Sequence, residues 1–254
     1  MDWNTLFYDE HEKPLDRLVS GYSRTAIFRK IAFVGDSLSS GEFETRDATG
    51  KAGYYDMYDY SWGQYIARKN GITAYNFSRG GMTAKWYMES FADENGFFDR
   101  DKAAQAYVLA LGINDIAKME IGEIADAELN CKKESFIRYY AEIVRRYKEI
   151  SPEAKFFFLT LAKHDDKNRP KHGKELSEAI RALADYFGAY LIDLETYGPC
   201  YDDAFKKRFY LHWHLNADGY ILTAELVDSY IDYIVRHHPG DFQSVPFIGT
   251  DIPH

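Results

Sequence analysis

Short, almost continuously apolar runs alternate along this chain with longer amphipathic stretches, and that alternation restricts the fold more than any other feature. The runs are Ile31–Val34, Ala74–Phe77, Ala106–Leu111, Lys155–Leu161 and Ala189–Asp193. Strands that read apolar on both faces are covered on both faces, which is the condition of a parallel sheet between helical layers. The intervening stretches supply those layers. Ser135–Ile150 carries Phe136, Ile137, Tyr140, Ile143, Val144, Tyr147 and Ile150 on a 3.6-residue stripe and stops at Ser151-Pro152, where proline cannot continue a helix. Lys174–Phe187 ends at Gly188, a residue suited to the left-handed turn that closes a helix. Ala217–Arg236 closes the pattern, and shorter helices are predicted over Ser61–Lys69 and Thr83–Phe91. Five strands and their crossovers predict a three-layer α/β/α sandwich with a five-stranded parallel sheet.

Two segments break the rhythm. Ser40–Tyr60 is a polar and aromatic insertion, and Pro239–His254 is a tail without periodicity, expected to lie across the surface. No repeat, low-complexity tract or linker divides the chain, so residues 1–254 read as one domain, with residues 1–30 as an N-terminal extension and 239–254 as the tail.

Charge narrows the partners. A net charge of −9 leaves no basic stretch able to neutralise phosphates, which excludes nucleic acid and disfavours an anionic membrane surface. No apolar run approaches the ~20 residues of a membrane-spanning helix. The N-terminal stretch MDWNTLFYDEHEKPLDR lacks the apolar centre of a secretory signal. The expected compartment is the cytoplasm, consistent with two cysteines, Cys131 and Cys200, outside any CxxC pattern and read as free thiols. Lys163-His164-Asp165-Asp166 reads as a solvated loop, no zinc spacing occurs, and neither metal nor cofactor is expected.

Four blocks fall just beyond strand ends, where open parallel sheets bind ligands. Gly35-Asp36-Ser37-Leu38-Ser39 follows the first strand and offers a serine hydroxyl, a poor nucleophile until a base takes its proton. In Asn76–Thr83, Gly81 can present a backbone N–H with no side chain in the way. In Gly112-Ile113-Asn114-Asp115, the Asn114 amide is an oxyanion donor, and Asp115 orients the loop. His214-Leu215-Asn216 precedes the last helix; its imidazole titrates in the range that suits proton transfer at neutral pH, and Asn216 is a good helix cap. Each block alone also reads as an ordinary turn or cap; four in this order point to ester cleavage.

In these blocks the chain resembles the SGNH (or GDSL) hydrolases, whose blocks contribute Ser, Gly, Asn and His; Ser37, Gly81, Asn114 and His214 match in order, and HLNADGY resembles the last block. The resemblance spans residues 31 to about 226. It implies a flavodoxin-like sheet and a small-molecule ester as substrate. It also implies attack by Ser37, with His214 as base and an oxyanion hole from the N–H groups of Ser37 and Gly81 and the Asn114 amide. A phosphate-binding flavodoxin-like protein is disfavoured, because Gly35 to Gly41 is followed by Glu42 rather than by the Lys of a phosphate loop.

One element of the family pattern is missing. The aspartate usual three residues before the histidine is Leu211 here, in Phe-Tyr-Leu-His-Trp-His. In a Ser-His-Asp triad, replacing the carboxylate by an amide costs about 10⁴ in rate. Three resolutions follow: a main-chain carbonyl near Leu211 accepts the Nδ1 proton, Asp202 or Asp203 swings in, or the site is a weak or inactive binding module. His212 is a rival base that the HLNxxGY match disfavours. Finally, Tyr54, Tyr55, Tyr58, Tyr60 and Trp62 follow the nucleophile, and flat rings with polar edges suit sugar faces. Tyr55 and Tyr58 are the expected substrate-binding residues of a carbohydrate deacetylase. The competing reading has these rings bracing a loop and packing the core.

Overall fold

The computed structural model describes residues 9–253; the first eight residues of the N-terminal extension and the final residue of the tail lie outside the described residues. Five parallel strands form the central sheet: β1 (Lys30–Gly35), then β4 (Thr73–Ser78), β5 (Ala106–Ala110), β6 (Lys155–Leu159) and β7 (Tyr190–Ile192), in the order β4-β1-β5-β6-β7. This order reverses beside β1, so the loops after β1 and β5 diverge there and leave a crevice at their carboxyl ends. The strands carry the apolar runs read from the sequence, and the middle three are buried along most of their length.

Helices cover both faces. One face holds α3 (Phe136–Ile150) and α4 (Gly173–Phe187), the other α2 (Trp62–Asn70) and α6 (Ala217–His237). Local chemistry sets their ends. The Ser135 side chain accepts from the Arg138 N–H to cap α3, the Asn216 side chain accepts from the Gly219 N–H to cap α6, and Gly188 closes α4 at φ 60°. The helix expected over 83–91 is broken: one turn, Ala84–Trp86, capped by Thr83, runs into a wider π turn at Tyr87–Phe91. That widening accompanies Tyr87, fully buried, whose hydroxyl meets that of Tyr147 on α3.

The two irregular segments are both built. Within Ser40–Tyr60, β2 (Glu42–Arg46) and β3 (Ala52–Asp56) pair as an antiparallel hairpin directly after the nucleophile turn. The C-terminal tail does more than cross the surface. Phe242 and Val245 are buried against Phe28 and Phe157, and Gln105 Nε2 donates to the Val245 carbonyl at 2.7 Å. The tail therefore closes the amino-terminal edge of the sheet, opposite the crevice. The N-terminal segment is tied to α6 through a buried network in which Asp228 accepts from Ser23 Oγ at 2.5 Å and Asn70 Nδ2 at 3.0 Å and pairs with Lys69 at 2.9 Å.

Candidate active site

Ser37 opens a one-turn helix, α1 (Ser37–Ser40), at the end of β1, and Asp36 caps that turn by accepting from the Leu38 N–H at 3.0 Å. As the first helical residue, Ser37 has a backbone N–H with no intrahelical acceptor, so it is a donor left over for an acceptor outside the turn. Gly35 allows the approach: a Cβ there would lie 2.3 Å from Ser39 Oγ. Burial pushes the Asp36 carboxyl up to about 7, against the pull of the Leu38 N–H and of His214.

The two donor loops lean on each other. Gly81 adopts φ 71°, a left-handed conformation that turns the chain after β4. Asn114 Nδ2 donates to the Met82 carbonyl at 3.1 Å, and Asp115 Oδ1 accepts from the Ala84 N–H at 2.9 Å. An amide NH₂ has two protons, so this bond fixes the Asn114 side chain and leaves one donor over. Asp115 is the loop-orienting residue expected of it, and burial raises its carboxyl to about 7.

His214 lies on β9 (His214–Leu215), which pairs with β8 (Tyr210–Leu211) through a tight turn at His212-Trp213. His212 is exposed in that turn at φ 59°. Helix α1 packs against both β9 and β2. The Tyr220 hydroxyl, on α6, ties the group together, meeting the Ser37 carbonyl at 3.3 Å and the Glu42 carbonyl at 2.7 Å. The structure thus gathers the Ser37 turn and the His214 ring at one edge, beside the Gly81 and Asn114 loops.

The partner of Nδ1 is none of those expected. Asp202 caps α5 (Asp203–Phe209) through the Phe205 N–H, Asp203 is paired with Lys167 and Asn168, and Leu211 is exposed. Instead Glu44 of β2 stands beside the ring: its Oε2 lies 3.4 Å from Nδ1 and accepts from the Trp213 N–H at 3.0 Å. Its other oxygen meets the Arg46 guanidinium. Burial would raise the Glu44 carboxyl, but the Trp213 N–H, the His214 ring and Arg46 outweigh it and hold it below the ordinary range. On the far side of the ring, Glu42 Oε1 sits 3.1 Å from Nε2. Burial alone would lower the His214 pKa; Glu42 first and Glu44 second reverse that, and the net shift is upward. Glu42 fits because residue 80 is glycine: a Cβ there would fall 1.9 Å from Glu42 Oε2.

The aromatic residues divide. Trp62 is core, edge-on to Phe33 at 4.8 Å, so the packing alternative holds for it. Tyr55 and Tyr58 are exposed on the hairpin and the turn after it. Tyr54 is the ring that meets His214, at 5.6 Å between centroids, and alternation along β3 turns Tyr55 to the other face. Elsewhere, His164 Nδ1 is engaged by the Ala162 carbonyl at 2.7 Å, both cysteines are free, and no cluster among the described residues has the donor set for a metal ion. Among the described residues no helix is long and apolar enough to cross a membrane.

The order of the sheet, its helical layers and a crevice edged by serine, histidine and amide donors define an α/β fold of the hydrolase type. The chain belongs to the GDSL-like lipase/acylhydrolase family, whose model matches residues 33–222. Solved structures share the fold. An acetyl xylan esterase, AlAXEase, is 18% identical with a TM-score of 0.54, covering 80% of this chain and 99% of its own. The psychrotrophic esterase EstA from Pseudoalteromonas sp., solved inhibited by monoethylphosphonate, is 14% identical with a TM-score of 0.53, over 82% and 98%. A family two carbohydrate esterase from Clostridium thermocellum, in complex with cellohexaose, is 16% identical with a TM-score of 0.58, over 89% and 67%. No curated protein matches the chain.

Proposed function

We propose that the protein is a serine esterase of small acyl esters, with sugar esters as its preferred class. The observation that carries this is the packing of the Ser37 turn against β9, which carries His214, at one sheet edge, with Tyr220 joining that turn to β2 and the Gly81 and Asn114 loops alongside. In the reaction, Ser37 Oγ attacks the acyl carbonyl carbon while His214 Nε2 takes its proton. The carbonyl π pair moves to oxygen, which is held by the N–H groups of Ser37 and Gly81 and the spare Asn114 proton. The tetrahedral intermediate collapses, the C–O bond to the alcohol breaks, and the imidazolium returns the proton to the leaving oxygen. Water then repeats the sequence on the acyl-serine, releasing the acid.

Nε2 can accept the proton only when it is free of Glu42, so productive binding requires that carboxylate to give way. The same contact is what favours the second reading, an inactive binding module. The sugar preference is supported by the exposed Tyr54 against the His214 ring, which offers a stacking face with a polar edge. It is supported also by the carbohydrate-directed neighbours, the acetyl xylan esterase and the esterase bound to cellohexaose. Hydrolysis of 4-nitrophenyl acetate tests the reading: turnover by the wild type that falls to background in Ser37→Ala supports it, and turnover unchanged by that substitution contradicts it. Acetylated xylo-oligosaccharides as competitors test the sugar preference, which fails if they do not inhibit.

A further inference from the structure

We propose that Glu44 is the carboxylate that positions His214, supplied by the hairpin inserted after the nucleophile instead of by the residue three places before the histidine. The proposal rests on the reading of Ser37 and His214 as nucleophile and base and deepens it.

Geometry carries the assignment. The Glu44 side chain has no exposure at all, and Oε2 is held by the Trp213 N–H at 3.0 Å, one residue from the ring it addresses, while the Nδ1 contact is 3.4 Å. That backbone bond keys β2 to the β8–β9 turn, so the carboxylate is located by the main chain carrying His214. Arg46, two residues on, satisfies the other oxygen and offsets the charge of a buried carboxylate. The local sequence explains the delivery: in Glu42-Phe43-Glu44 the strand alternation sends both carboxylates to the histidine side, while Phe43 packs against Tyr60 and Tyr220 on the other. The rival carboxylates Asp202 and Asp203 are held in a helix cap and in an ion pair.

The chemical consequence is specific. An Nδ1–H donated to Glu44 places the neutral-ring lone pair on Nε2, where the Ser37 proton must go, and stabilises the imidazolium that forms. Glu44 acts through the ring and does not touch substrate; it is a positioning residue. The other ionisable groups facing the ring are Glu42 at Nε2 and Tyr54 of β3 across its edge, and the charge of His214 is felt by Asp36, the cap of α1.

The test is a ¹⁵N-histidine NMR titration of the full chain, with the His214 signals assigned by their loss in His214→Ala. It is run beside the rate of Ser37 modification by a fluorophosphonate. In the wild type, neutral His214 is expected as the Nδ1–H tautomer. Glu44→Gln, which keeps the shape and removes the charge, is expected to lower the His214 pKa and to cut the modification rate at least tenfold, by analogy with amide-for-carboxylate replacement in triads. Glu44→Asp, checked for folding by its thermal transition, is expected to retain part of both. On 4-nitrophenyl acetate the loss should fall on kcat and leave KM nearly unchanged. An unchanged His214 pKa and an unchanged rate in Glu44→Gln, with the wild type fully modified, overturn the Glu44 assignment alone. A wild type that is not modified overturns the nucleophile–base reading, and with it the catalytic role of Glu44.

Discussion

His214 is bracketed by two carboxylates, and the two do different work. In the proposed reaction, Glu44 at Nδ1 would stabilise both the right tautomer and the imidazolium, while Glu42 at Nε2 would stabilise only the imidazolium and stand where the serine proton would arrive. A carboxylate at each nitrogen favours the protonated ring, and the His214 pKa is shifted upward from its ordinary value. The base form is therefore present only above that raised value, so the acid limb of kcat/KM is expected at higher pH than an unperturbed histidine would give, and activity is lost as pH drops through it. Folding follows the opposite course: stability from the protonated ring is fully present below the unfolded pKa and lost as pH rises through the folded one. Replacing Glu42 by Gln removes the nearer source of the shift. The expected outcome is an acid limb displaced toward lower pH while Ser37 remains reactive; a limb that does not move in a pH–rate profile contradicts this role for Glu42.

At the scale of elements, the hairpin β2–β3 is the piece that distinguishes this site. It was not legible as structure in the sequence, because Ser40–Tyr60 has neither an apolar face of period two nor a helical stripe. Its inward positions are charged, and a glutamate seven residues past the nucleophile carries no signal by itself. Leu211 in place of the aspartate left open a main-chain carbonyl, a displaced Asp202 or Asp203, or an inactive site; the contact of β2 with the histidine turn brings Glu44 to Nδ1 instead. The five core strands and three long helices were legible because burial on both faces, or on one stripe, leaves its period in the chain. The packing of α2 onto β1 was legible only as apolar residues at both places. Gly63 faces the Phe33 ring so closely that a Cβ would lie 2.6 Å from it. Gly63→Ala is thus expected to destabilise the fold by about 1–3 kcal/mol through overpacking. Urea unfolding followed by tryptophan fluorescence checks it, and a midpoint equal to wild type would show that the interface yields freely.

Across the whole molecule, the two ends of the sheet are assigned to different tasks. The tail and the N-terminal segment seal the amino-terminal edge and the back of α6, through Phe242, Val245 and the Asp228 network. The carboxyl-terminal edge is left for the four blocks. The places of Ser37, Gly81, Asn114 and His214 in the fold could be read from order and spacing, because each sits at a strand end or helix start whose turn chemistry is local; the catalytic roles given to them are proposals. Glu44 could not, since its role arises from contact between segments 170 positions apart. The central claim is that these long-range contacts make Ser37 a reactive nucleophile with His214 as its base. Fluorophosphonate labelling of the complete chain, with mass mapping of the adduct and His214→Ala alongside, tests it most directly. One adduct is expected, on Ser37, and it should disappear when His214 is replaced; no adduct under conditions that label a control esterase, or one indifferent to His214, would overturn the pairing.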